Sequence, residues 1–153
     1  MSQYNSEQAA AVIANPATQL QPDERSGRVR TLYAKYTTDA SLGITTSDVL
    51  VVGMLPKGAR VLSAEAFVPA SFLTSSSKLG YGTLDRAGTL TVVDDDRWGT
   101  GLDLSAVGRK QFLTLAADLA YRTTAEVAVC FTPITTTTGL GLVIEFLVQY
   151  VVD

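Results

Sequence analysis

Histidine is absent from this sequence, and cysteine and tryptophan occur once each. Without imidazole the chain lacks the commonest general base of catalytic triads and the commonest nitrogen ligand of zinc sites. A single cysteine, Cys130, excludes an intrachain disulfide framework and any zinc site built from paired thiolates. It lies in the apolar run AEVAVCF, with no positive neighbour to activate it, and reads as a buried, reduced thiol. The absence of disulfides fits an intracellular site of folding. Charge is also sparse: 12 Lys and Arg against 15 Asp and Glu leave a net charge of −3. No basic run is present that could track a phosphate backbone, so nucleic acid is not an expected partner. No stretch approaches the roughly 20 apolar residues of a membrane span, and the N-terminal MSQYNSEQAAAVIANP has neither a basic n-region nor a long apolar h-region. The chain therefore reads as soluble, without a membrane partner or a cleavable secretion signal.

Motifs of catalysis and ligand binding are missing as well. There is no G-x-S-x-G elbow and no phosphate-binding loop, and GTGLDLSAVG around Gly99 does not join a parallel strand to a long helix. Paired-carboxylate chemistry has only Asp94, Asp95, Asp96 and Asp103 to draw on. Calcium could use the same acids, but VVDDDRWGTGLDL lacks the alternating acids and terminal Glu of a calcium loop, and three successive acids on a strand point to alternate faces. The run reads as a solvated acidic loop partly neutralised by Arg97, and no cofactor or metal site is expected. Trp98 beside it reads as packing over that loop or as an interface anchor; as a sugar platform it stands isolated.

What the sequence does contain is a polar opening followed by period-two apolar patterning. Residues 1–27 are polar and Ala-rich, with Pro16 and Pro22 among Asn, Gln and Ser, too little apolar surface to fold alone. A disordered tail and an arm that orders against a partner surface both fit this composition. On the arm reading, Ser6 caps two helical turns over SEQAAAVIA, and the anchors are Tyr4, Val12, Ile13 and Leu20. Residues 28–153 form the second unit, a size that buries one core. Strands are expected at Arg28–Thr37, Ser47–Leu55 and Ala59–Val68, the last two as a pair through a Pro56–Gly58 turn, with Leu62, Ala64, Ala66 and Val68 facing inward. Further strands are expected at SSKLGYGTL, GTLTVVD, QFLTLAADLAY, TAEVAVCFT and GLVIEFLVQYVV, with one helical turn in DLSAVGRKQF. About eight short strands with Gly-rich turns and no long helix imply an all-β, jelly-roll-like antiparallel β-sandwich with an extended N-terminal arm. On the final strand Leu142, Ile144, Phe146, Val148, Tyr150 and Val152 share one face. The other carries Val143, Glu145, Leu147, Gln149 and Val151, mixed in a way that suits either a subunit contact or a strand buried on both sides.

The segment LPKGARVLSAEAFVPASFLTSSSKLGYGTLD, Leu55 to Asp85, resembles small virion proteins of tailed phages. In that pattern a proline-glycine turn and strand lead to an apolar strand, a Ser/Thr-rich stretch and KLGYG before an acidic run. The correspondence covers Leu55–Tyr81 and continues loosely to Trp98; the residues before Gly27 and after Gly101 add nothing to it. The resemblance is to capsid decoration, or cement, proteins. It implies a virion component without enzymatic activity, made in the host cytoplasm and placed on the capsid exterior, with the major capsid protein as partner and assembly as a homo-oligomer, a trimer by preference. Tyr4, Val12, Ile13, Leu20, Trp98, Val143, Leu147 and Val151 are then the interface candidates. The alternatives are another virion role, such as head fibre base, neck or tail adaptor or tail-tube relative, and a carbohydrate-binding jelly roll.

Overall fold

The structure, a computed structural model, describes residues 3–5, 29–38, 43–69, 76–112, 120–135 and 141–152. Within them run nine strands: β1 (Gln3–Asn5), β2 (Arg30–Thr37), β3 (Val49–Leu55), β4 (Ala59–Val68), β5 (Ser77–Leu84), β6 (Leu90–Thr100), β7 (Gly108–Gln111), β8 (Val127–Pro133) and β9 (Val143–Val152). They form a larger sheet in the order β1-β3-β8-β5-β6 and a smaller one in the order β2-β9-β4-β7. The antiparallel pairs β2·β9, β3·β8, β4·β7 and β5·β6 are nested, first with last and innermost with innermost. A long hairpin rolled on itself produces this nesting, and the result is a jelly-roll sandwich.

The core follows from the alternation. Ala34 on β2, Ala64, Ala66 and Val68 on β4, and Ile144, Phe146 and Val148 on β9 face Leu50 and Val52 of β3 and Val129 and Phe131 of β8. Phe131 of the larger sheet meets Phe146 of the smaller at 5.2 Å between ring centroids and Phe112 at 6.3 Å, edge-on, so one aromatic stack ties the two layers. β3 and β8 are buried on both faces, because Val49, Val51, Ala128 and Cys130 form a second apolar cluster with Leu90 on the outer side of the larger sheet. That accounts for VLVVGML and VAVCF reading as nearly continuous apolar runs.

Several expectations need correction. Pro56–Gly58 does form a turn, with Ala59 N–H donating to Pro56 O at 3.2 Å and Gly58 at φ 82°, a region only glycine enters freely. Its strands are not partners, however: the turn carries the chain from one sheet to the other. Thr123, almost fully buried, clasps this corner. Its hydroxyl donates to Pro56 O at 2.7 Å and accepts from Ala59 N–H at 2.9 Å. On β4 the inward row runs Ala59 and Val61, then Ala64, Ala66 and Val68, because the register against β9 slips between Val61 and Ser63. Leu62 is the extra residue of a bulge and is not one of the fully buried core residues.

The acidic run is a strand, not a loop: β6 continues through Asp94, Asp95 and Asp96 to Thr100. Against β5 it carries a large bulge, since Leu79 pairs with Gly99 and Tyr81 with Asp94. Gly80 lies beneath that bulge, and a Cβ there would collide with Asp94 O and the Asp95 backbone. DLSAVGRKQF ends in strand β7 rather than a helical turn. Most of QFLTLAADLAY lies outside the described residues. β1 has no counterpart in the alternation pattern: Gln3, Tyr4 and Asn5 pair in parallel with Val49, Leu50 and Val51 at the edge of the larger sheet.

Candidate interaction surface

The outer face of the smaller sheet is where the described structure offers a surface of mixed character. Strand register arranges it in transverse rows. Tyr33, Leu147, Glu65 and Gln111 form one; Lys35, Glu145, Phe67 and Arg109 form the next. Tyr33 is 45 % exposed and Phe67 42 %. Between them opens a groove of about 290 Å³ whose outward side chains are Tyr33, Glu65, Phe67, Arg109, Glu145 and Leu147. Arg109 Nε donates to Glu65 Oε2 across it at 3.2 Å, with the arginine side chain 70 % exposed, so this pair adds little stability. Lys35 and Glu145 stand opposite each other in register, yet among the described residues they form no ion pair. Beyond the two rows Ser63 Oγ donates to Gln149 Oε1 at 3.0 Å.

The interface candidates on the final strand divide here. Val143 and Leu147 lie half-buried on this face, Leu147 inside the groove. Val151 is in register with Arg60 but only 8 % exposed, which leaves it little surface to give a partner. Tyr33 and Phe67 are groove residues absent from the candidates drawn from the sequence. Both sit at outward positions of predicted strands, so alternation alone could have placed them there. Tyr4 lies in β1, and Val12, Ile13 and Leu20 lie outside the described residues.

Trp98 goes to the other side of the question. It is fully buried, with ring centroids 5.9 Å from Tyr81 and 6.5 Å from Tyr121. The bulge of β6 turns it into the core, so it presents neither an interface anchor nor the open platform a carbohydrate site needs. Arg97 caps this aromatic cluster, its guanidinium carbon 4.2 Å from the Tyr121 ring centroid. The acids around it are partly neutralised: Lys78 Nζ donates to Asp95 Oδ2 at 2.9 Å and Arg97 lies 3.9 Å from Asp94. Burial pushes the Asp94 carboxyl up from its ordinary range. Among the described residues no group of three or more acids, cysteines or histidines is arranged to hold a metal ion.

Three groups give the fold an alkaline limit. Burial pushes the Cys130 thiol up to about 12. It also pushes the Tyr121 phenol well above the tyrosine range, aided by its hydrogen bond with Tyr81. The hydrogen bond to Asp95 raises Lys78. In each case the folded state holds its proton to higher pH than the unfolded chain, so the stability involved is complete below pH 9 and is lost as pH rises through the folded values. We expect the unfolding free energy, measured in urea under reductant, to be flat from pH 7 to 8.5. Above about pH 9 it should fall with a slope of up to about 1.4 kcal/mol per pH unit for each proton that the folded state retains and the unfolded chain has lost. Cys130→Ala should remove the first part of that fall, and a thiol reagent should label the native protein no faster than global unfolding allows.

The described residues form a jelly-roll sandwich whose smaller sheet carries a mixed outer face. No protein-family model matches the sequence, and no curated protein matches it. Solved structures do. The chain superposes on one from the "Capsid of Ralstonia phage GP4" with a TM-score of 0.77 and 16 % identity, over 99 % of both chains. A chain of the "Cyanophage Pam1 capsid asymmetric unit" matches with a TM-score of 0.56 and 19 % identity, over 92 % of this chain and 96 % of that one. A chain of the "Acidic stable capsid structure of Helicobacter pylori bacteriophage KHP30" matches with a TM-score of 0.52 and 16 % identity, over 81 % and 87 %. At these identities the likeness is one of fold: the chain has the same jelly-roll fold as chains found in phage capsids.

Proposed function

We propose that this protein is a non-enzymatic component of a phage virion, a decoration protein that binds the major capsid protein from outside and reinforces the shell. The observation that carries the reading is the superposition on a chain of a phage capsid over 99 % of both chains. The match runs over nearly the full length of both chains and is not confined to a few strands. The resemblance of Leu55–Tyr81 to phage cement proteins is a separate line of support. So is the net charge of −3, which suits the outside of a DNA-filled shell better than its lumen. A stiff sandwich supplies summed interface energy, and shell binding needs nothing further in the way of chemistry. The resemblance implies three copies in solution; a contact through one sheet face alone gives two, and a mass measurement separates them.

In this reading the N-terminal arm adds binding energy, with Val12, Ile13 and Leu20 as its apolar anchors. The test is occupancy on capsids stripped of the protein. Full-length protein should saturate them at a fixed ratio to the major capsid protein. Deletion of residues 1–26, or Val12→Asp with Ile13→Asp, should lower occupancy at least tenfold while cooperative unfolding persists. The paired point variant is the cleaner comparison, because it leaves the pairing of β1 with β3 in place. Equal occupancy of all three would reject the arm's part, and failure of the full-length protein to bind would reject the decoration reading itself. A neck or tail position would show as a few copies at one vertex instead of icosahedral coverage.

A further inference from the structure

From the outer face of the smaller sheet we infer that it is a contact between two copies of this chain, related by a twofold axis and packed sheet on sheet. Three features single out a second copy as the occupant. The two central rows carry two cations, Lys35 and Arg109, and two carboxylates, Glu65 and Glu145. A face with equal numbers of both signs complements itself, whereas a surface shaped for a strongly charged partner carries an excess of one sign. Next, Lys35 and Glu145 are in register but form no ion pair within 4 Å among the described residues, so neither charge is satisfied inside its own sheet. Finally, Tyr33 and Phe67 project beside a groove of about 290 Å³, supplying on one face both the protruding rings and the hollow that a self-complementary contact needs.

The size of the face is adequate. Four strands of 8, 10, 10 and 4 residues, spaced about 4.8 Å apart with about 3.3 Å per residue, cover about 500 Å² in projection. Side-chain relief brings this toward the ~800 Å² per partner of a standard interface. A pair of that size assembles in a concentration-dependent way, with Phe67 and Tyr33 as the buried centre and the charges at its rim. The inference rests on this face and not on the virion reading. A strictly monomeric protein would overturn it and leave that reading standing.

The experiment uses the full chain in two charge-sorted forms. One carries Glu65→Lys and Glu145→Lys, giving an all-positive face; the other carries Lys35→Glu and Arg109→Glu, giving an all-negative one. Sedimentation from micromolar to sub-millimolar concentration should show dimerisation of the native sequence. Each variant alone should associate at least tenfold more weakly, and their equimolar mixture should recover dimers containing one of each. Both variants should retain cooperative unfolding, since only exposed or half-buried side chains change. Phe67→Asp serves as a charge-independent check and should abolish association. Native protein that stays monomeric at the highest concentration, or a mixture no more associated than its components, would overturn the inference.

Discussion

Gly80→Ala is expected to lower the unfolding free energy by about 3 kcal/mol, a large share of the total for a domain of this size. The cause is local and geometric. β6 carries its extra residues directly across β5, so Asp94 O and the Asp95 backbone occupy the space a Cβ would need at position 80. Flexible side chains can step aside from a methyl group, but two hydrogen-bonded backbones cannot separate without giving up their ladder. Gly80 sits in KLGYG, within the Leu55–Tyr81 segment that resembles small phage virion proteins, and the bulge supplies a physical reason for a glycine at that place. Urea unfolding followed by the fluorescence of the single tryptophan, Trp98, measures the effect. Gly80→Ala unfolding at the native midpoint would mean that the bulge is not packed on β5.

Trp98→Ala should cost about 3–5 kcal/mol, the usual range for deleting a large buried aromatic. The indole has no exposed surface and contacts the ring system of Tyr81 and Tyr121, under the Arg97 guanidinium. Its removal opens a void in a core that cannot collapse across a bulged strand. Trp98→Phe should cost markedly less, because the indole N–H has no acceptor among the described residues: volume is lost but no hydrogen bond. Circular dichroism is the appropriate probe, since the fluorophore is changed. A Trp98→Ala variant of native stability that no longer binds capsids would restore the interface reading of this residue.

Period-two alternation by itself makes much of the sandwich legible. β4 is bounded where the pattern bounds it, at Ala59 and Val68, and Ile144, Phe146 and Val148 face the core as their period of two requires. The same pattern fails wherever register slips. A single extra residue at Leu62 moves the inward row to Val61, and nothing local in ARVLSAEAFV marks the slip. Asp94–Asp96 reads as a loop because aspartate has poor strand propensity. Pairing with β5 and the anchoring of Trp98 in the core outweigh that preference, and both are long-range. β1 is similar, since three polar residues become a strand only because β3 offers an edge. Of the interaction surface, Leu147 in the groove and Val143 on the same face are readable from the final strand. The groove itself requires knowing that β2 and β4 flank β9, which is topology and not pattern.

The central claim, a place on the outer surface of a phage capsid, is tested most directly by icosahedral reconstruction of the particles that carry this protein, with copies counted by mass spectrometry of the same preparation. The account predicts jelly-roll density outside a continuous shell, repeated over the whole icosahedral surface at a fixed ratio to the major capsid protein. Purified particles without the protein, or density confined to the neck or tail, would contradict it.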